Sequence, residues 1–320
     1  MTGSGYNGAE RVLERLIGVL ERLGYGYHVL EYPENRRRRS IDVLVAGGGR
    51  RVLIKVVEDV ASVRREDVKE LRSVGGVLGA SPLLVGDHEK GEKLEDIVAY
   101  ERMGIYALSP EGFERAASTG IFVVKKRGRF YMRLDAGKFK EEREARGLSL
   151  GTAADLLGVT RRAVYEYERS NIDVDLERAL RILDVFGEEV FRPIEVFRVE
   201  EPRSELRNLD EEGERAIAER IMEAGGIVVH AKRTVVDLAA RLGERTSIIV
   251  YEHRRERTDG VIRRGEEAAR IAEATSSEVI AIVERSETAR DLEALGLHVI
   301  RGSEAPDEIT IRLREYHEGL

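Results

Sequence analysis

The sequence predicts a multidomain α/β (α+β) chain in which a small all-α bundle sits between two mixed-sheet α/β domains. Three observations predict it. Leu148 to Ser170, LSLGTAADLLGVTRRAVYEYERS, reads as two short helices joined by a tight glycine turn. An order of helix, three strands, helix, strand, helix, strand occurs before this segment and again after it. At 320 residues the chain is long enough for two or three separate cores.

The elements follow in order. Val12, Leu13, Leu16, Ile17, Leu20 and Leu23 repeat at helical spacing, so residues 9–23 form an amphipathic helix. Strands are expected at Tyr27 to Glu31, Ser40 to Ala46 and Arg51 to Val57, with Gly47-Gly48-Gly49 turning a hairpin. A helix from Arg64 to Val74, a strand near Pro82 to Val85, a helix from Leu94 to Met103 and a strand at Ile105 to Leu108 complete a first domain, residues 1–120. Residues 121–134, IFVVKKRGRFYMRL, alternate around Arg127-Gly128 and read as a β-hairpin. Residues 135–198 hold the helical bundle, and the polar stretch 199–212 reads as a linker. The second α/β domain, 213–320, starts with a helix from Glu214 to Ala224 and strands at Ile227 to His230, Val235 to Leu238 and Ser247 to Glu252, with Gly243 in a turn. A helix around Glu266 to Ala274, a strand Val279 to Val283, a helix Thr288 to Leu295 and a strand His298 to Arg301 follow. The phrases Met103-Gly104-Ile105-Tyr106 and Leu295-Gly296-Leu297-His298 are alike, which fits two copies of one unit.

Within the bundle, Ser149 is placed to cap the first helix, because its hydroxyl can accept from an orphan backbone N–H. Ala153, Leu156 and Leu157 are expected to face inward, and Gly158 to end the helix in a left-handed conformation. Thr160 caps a second helix, Arg161 to Arg169, whose buried stripe is Val164 and Tyr167. Arg161, Arg162, Tyr165, Glu166 and Arg169 then lie on its open face. Glu168 is expected to support the fold by pairing with a nearby arginine.

This stretch resembles the Cro/C1 family of helix-turn-helix domains, from about Leu134 to Gly187. The resemblance rests on Leu148-Ser149, on Ala154-Asp155-Leu156-Leu157-Gly158-Val159-Thr160 at the turn, and on Tyr167-Glu168-Arg169-Ser170 after the second helix. Leu176, Ala179, Leu180 and Leu183 space a further helix. Many relatives carry glutamine after the serine of the first motif helix, whereas this chain has Leu150. The resemblance implies that Thr160, Arg161, Arg162, Tyr165 and Glu166 read base edges in the major groove of double-stranded DNA. Ser149, Lys138, Lys140, Arg143, Arg169 and the hairpin residues Lys125, Lys126 and Arg127 would then contact phosphates. Both sets have a plainer reading as solvated charge. The wider architecture resembles an archaeal family of helix-turn-helix transcriptional regulators, which implies a sequence-specific regulator binding as a homodimer.

The charge distribution agrees. The chain carries a formal −7, yet residues 125–170 hold 12 Lys or Arg against 7 Asp or Glu, a basic island on an acidic chain. With no cysteine, disulfides and thiolate zinc sites are excluded. Neither a signal core nor a long apolar run occurs, so no membrane segment is expected and the cytoplasm is the expected compartment.

The order helix, three strands, helix, strand resembles the restriction-endonuclease-like fold, in which an aspartate and an acidic-x-lysine triplet hold Mg²⁺. Asp42 and Lys55 stand at matching positions, but the triplet reads Leu53-Ile54-Lys55, and leucine cannot coordinate a metal. Glu58 or Glu31 could substitute from another position. In the second copy Asp237 remains, with Ile248 and Val250 at the triplet positions. Both domains are therefore expected to be non-catalytic platforms, with neither metal nor cofactor and with an unknown effector. The alternatives are a DNA nuclease or repair factor using a degenerate Asp42/Lys55 site, and an RNA- or protein-binding adaptor. His28, His88, His230, His253, His298 and His317 show no pairwise metal spacing, and His253 is expected to be structural. The run Arg36 to Arg39 reads as a basic loop.

Overall fold

The computed structural model describes residues 4–206, 209 and 212–315, and the side chains from 8 to 313 within that span. His317, and Arg207, Asn208, Asp210 and Glu211 of the expected linker, lie outside the described residues. The chain divides into two compact units. One comprises residues 1–57, 62–84 and 197–320, and the other residues 58–61 and 85–196. Both α/β copies thus share one unit, and residues 85–120 group with the helical bundle.

The first copy runs α1 (Ser4–Leu23), β1 (Gly26–Val29), β2 (Val43–Gly47), β3 (Arg50–Val56), α2 (Arg65–Leu78) and β4 (Ser81–Val85). Gly48 and Gly49, at φ 56° and 73°, make the two-residue turn whose twist suits the antiparallel β2–β3 pair. α1 buries Val12, Leu16, Val19 and Leu20, one stripe of its amphipathic surface.

The second unit contains β5 (His88–Glu89), β6 (Glu92–Lys93), β7 (Val98–Arg102), β8 (Ile105–Leu108) and α3 (Pro110–Ser118). It continues with β9 (Val123–Lys126), β10 (Arg129–Leu134), α4 (Ala136–Ala145), α5 (Leu150–Leu157) and α6 (Arg161–Tyr167). β11 (Asp173–Asp175), α7 (Leu176–Phe186) and β12 (Phe191–Arg192) close it. The expected helix from Leu94 to Met103 is instead strand β7, paired antiparallel with β8. Met103 and Gly104, at φ 49° and 88°, form the tight turn between them, and that turn decides against a helix. The expected hairpin is present as β9–β10, turned by Arg127 and Gly128 at φ 50° and 81°.

The second copy runs α8 (Glu212–Glu223), β13 (Ile227–His230), β14 (Leu238–Leu242), β15 (Arg245–Tyr251), α9 (Thr258–Thr275), β16 (Glu278–Val283), α10 (Ser286–Ala294), β17 (His298–Arg301) and α11 (Ala305–Glu315). Its sheet has the order β13-β14-β15-β16-β17, antiparallel across the first three strands and parallel thereafter. The strand expected at Val235 to Leu238 begins only at Leu238; Val235 and Val236 are core residues of the preceding loop.

Individual hydrogen bonds repeat between the copies. Asp42 N–H donates to Ile54 at 2.8 Å and its Oδ2 accepts from Val56 N–H at 2.8 Å. Asp237 N–H donates to Ile249 at 3.1 Å and its Oδ2 accepts from Tyr251 N–H at 2.6 Å. α2 packs against β13 and β14, while α9 packs against β2. The copies thus meet as an isologous pair inside one chain.

Candidate nucleic-acid interface

The helix-turn-helix is fixed by its caps and its core. Ser149 Oγ accepts from Thr152 N–H at 3.1 Å and starts α5. Gly158, at φ 64°, ends it in the left-handed region that glycine occupies without strain. Thr160 Oγ1 accepts from Ala163 N–H at 3.1 Å and starts α6. Ala153, Leu157, Val164 and Tyr167 enter a core built with Phe139, Ile182 and Phe186. Phe139 meets Tyr167 and Phe186 edge-on, with ring centroids 5.9 and 4.9 Å away. Leu156, expected inward, is 53% exposed; the buried stripe of α5 is Ala153, Ala154 and Leu157, so Ala154 takes the inward position.

With Val164 and Tyr167 anchored, Thr160, Arg161, Arg162, Tyr165 and Glu166 are exposed together on one face. Among the described residues no carboxylate pairs with Arg161 or Arg162. Arg169 lies 5.2 Å over the Tyr165 ring and donates to its hydroxyl at 2.6 Å.

The phosphate set divides. Lys138, Lys140, Arg127 and Ser149 are exposed. Arg143 is buried, and its Nε and Nη2 donate to Glu168, while Nη1 donates to the Leu148 carbonyl at 2.6 Å. That is the arginine partner expected for Glu168, and it removes Arg143 from the phosphate set. Lys125 pairs with Glu89 at 2.9 Å and lies over the rings of Tyr100 and Phe130. The Glu89 hydrogen bond raises its pKa. Lys126 is held between Asp173 at 2.6 Å and Glu101 at 3.2 Å. Both lysines are committed to carboxylates because the sheet places acidic neighbours beside the hairpin, which the local sequence does not reveal.

The α/β copies carry altered versions of the expected metal position. In the first, Asp42 is fully buried, with Lys55 Nζ at 3.0 Å from Oδ2 and Arg36 Nε at 3.6 Å from Oδ1. Two cations therefore face the single carboxylate. Of the basic loop, Arg39 is buried against the carbonyls of Leu30, Pro33 and Glu34, leaving Arg37 and Arg38 exposed. Among the described residues Asp42 belongs to no cluster of three groups within reach of one ion.

The second copy gathers three such groups. Glu214 on α8, Asp237 before β14 and His253 after β15 converge with ligand atoms within 4.8 Å of one another, a set that could hold a cation. The fold brings this grouping together from residues 23 and 16 positions apart, a spacing that matches no local motif. Asp237 Oδ2 also receives Arg264 Nη1 at 2.5 Å, and Arg264 is held in turn by Glu256. Burial pushes the Asp237 carboxyl up, but the charges of Arg264 and His253 outweigh it and hold it below the usual range. The Asp237 hydrogen bond raises His253 to about 9. A cavity of about 560 Å³ lined by Gly213, Tyr251, Glu252, His253, Arg254 and Arg285 opens beside the cluster.

Residues 9–123 match the PD-(D/E)XK superfamily domain, and residues 139–191 match the helix-turn-helix family. A protein of Aeropyrum pernix named "Putative HTH-type transcriptional regulatory protein" is 33% identical over 286 residues, covering 87% of each chain. The chain belongs to this archaeal family of HTH-type transcriptional regulatory proteins. Members from Saccharolobus solfataricus and Saccharolobus islandicus strain L.S.2.15 are 27% and 28% identical over 90% of this chain and 92% of their own. No solved structure gives a significant match. Family membership and the matched helix-turn-helix make this a DNA-binding regulator at the level of class. Among the described residues no helix is long and apolar enough to cross a membrane.

Proposed function

We propose that this member of the family is a sequence-specific regulator that lays α6 in the major groove and binds as a homodimer. One observation carries the reading: Arg161 and Arg162 project, without carboxylate partners among the described residues, from a helix pinned by Val164 and Tyr167. Each arginine fork can donate twice to guanine O6 and N7, about 1–3 kcal/mol of discrimination per base. Thr160 and Ser149 suit phosphate oxygens beside the helix N-termini. Lys138, Lys140 and Arg127 add sequence-independent attraction, whereas Arg143, Lys125 and Lys126 do not. A module of this size makes few base contacts, so specificity comes from two half-sites about 34–36 Å apart.

The first α/β copy is read as non-catalytic. Metal-dependent phosphodiester hydrolysis needs a carboxylate pair, and here Lys55 and Arg36 already neutralise Asp42. Fold alone does not confer activity.

Selection of bound duplexes from a random pool, with Mg²⁺ present, tests all three points. A two-fold motif that loses preference at one base pair per half-site in Arg161→Ala supports the reading. Lys140→Ala should weaken every sequence about equally and reduce the salt slope by about one. Identical behaviour of the two variants overturns the assignment of roles, a motif without two-fold symmetry overturns the dimer, and cut fragments that vanish with Lys55→Ala overturn the non-catalytic reading.

A further inference from the structure

We propose that Glu214, Asp237 and His253 form a binding site for one divalent transition-metal ion in the second α/β copy. The donor set is two carboxylate oxygens and one imidazole nitrogen, which suits Zn²⁺ or Mn²⁺.

The geometry is close to a coordinated one. Ligands about 2.0–2.2 Å from a common ion lie roughly 3.0–3.4 Å from each other. His253 Nε2 is 3.2 Å from Asp237 Oδ1 and 3.9 Å from Glu214 Oε1, and all three ligand atoms lie within 4.8 Å of one another, so a bound ion draws Glu214 inward and displaces the proton that His253 shares with Asp237. The supporting contacts orient the ligands. Tyr251 N–H and Arg264 both engage Asp237 Oδ2, which turns Oδ1 toward His253. His230 lies 3.9 Å from the other oxygen of Glu214. The Tyr251 hydroxyl lies 2.3 Å from where a Cβ on Gly213 would sit, so only glycine at that position lets Tyr251 pack beside Glu214.

The site also has an entrance. Glu214 is fully buried, whereas the His253 side chain is 32% exposed and forms part of the wall of the 560 Å³ cavity. His253 is the ligand on the cavity wall, so an ion reaches the trio from that side, where water completes its coordination. Ile248 and Val250 stand at the triplet positions of this copy, so the site draws on α8 and on His253, two residues beyond β15, instead.

The test uses the full chain stripped with a chelator. Calorimetric titration with Zn²⁺ and with Mn²⁺ should show one saturable site per chain for at least one ion. His253→Ala and Glu214→Gln should each weaken it by at least about tenfold, while His28→Ala, which alters a histidine on β1, should leave it unchanged. Absence of saturable binding of both ions, or equal affinity in His253→Ala and the parent, overturns the proposal. Should Glu214→Gln fail to fold, Co²⁺ added to the parent protein decides. Intense d–d absorption from a low-symmetry nitrogen–oxygen site supports the assignment, and the spectrum of the hydrated ion overturns it.

Discussion

Glu70 and Glu267 make the same contact in opposite directions across the two α/β copies. Glu70 on α2 accepts from Arg233 N–H at 2.9 Å and Lys232 N–H at 3.2 Å, on the loop after β13. Glu267 on α9 accepts from Glu31 N–H at 3.0 Å and Tyr32 N–H at 3.3 Å, on the loop after β1. Each helix carboxylate, Glu267 buried and Glu70 half-buried, thus satisfies two loop donors of the other copy, as a two-fold interface requires. Burial pushes both carboxyls up, and the donated hydrogen bonds oppose it.

Removing one half of this arrangement leaves two part-buried backbone donors without their acceptor. Glu267→Ala should destabilise the protein by about 1–3 kcal/mol, with Glu267→Gln milder because it keeps one acceptor. Urea denaturation measures this, and a change within error for Glu267→Ala would show that the interface does not depend on these bonds.

Arg143 tests the divided phosphate set. The Glu168 side chain is only 9% exposed, so Arg143→Met leaves a buried charge without its partner and should cost about 3–5 kcal/mol. The double variant Arg143→Met/Glu168→Leu should recover much of that loss. At temperatures where Arg143→Met remains folded, the salt slope of DNA binding should equal that of the parent, whereas a reduced slope would return Arg143 to the phosphate contacts.

Gly75 reverses an ordinary rule. Glycine to alanine inside a helix usually stabilises by about 1 kcal/mol. A Cβ at Gly75 would stand 2.6 Å from the Ala80 carbonyl oxygen, a backbone atom that cannot swing aside. Gly75→Ala should therefore destabilise by about 1–3 kcal/mol, as the shift in thermal midpoint will show.

Asp173 makes the second unit sensitive to acid. Burial pushes its carboxyl up, but hydrogen bonds from Arg133 and Lys126 outweigh that and hold it below the usual range. Its stabilising contribution is present above the unfolded carboxylate value of about 3.9. As pH falls below that value the unfolded chain takes up the proton first, and the contribution is gone once the folded value is passed. The stability gap between the parent and Asp173→Asn should be open at pH 7 and narrow steadily below pH 4; a constant gap would place the ion pairs outside the energetics.

The sequence by itself determined the local part of this protein. Ser149, Gly158 and Thr160 act within one turn of the backbone they cap, so their roles are legible from composition and spacing. The 3.6-residue repeat likewise exposed the Arg161, Arg162, Tyr165 and Glu166 face by burying Val164 and Tyr167. The apolar run around Val98 misled because helix and strand share such runs, and the Met103-Gly104 turn carried the decision. Tertiary structure alone decided which charges are spent. Lys125, Lys126 and Arg143 look like their exposed neighbours in sequence, yet Glu89, Asp173 and Glu168 reach them from other elements. The same holds for Glu214, Asp237 and His253, and for the mirrored contacts of Glu70 and Glu267. Electrostatic partners act through space over a few ångströms, and a distance of that kind between remote residues exists only once the chain has folded.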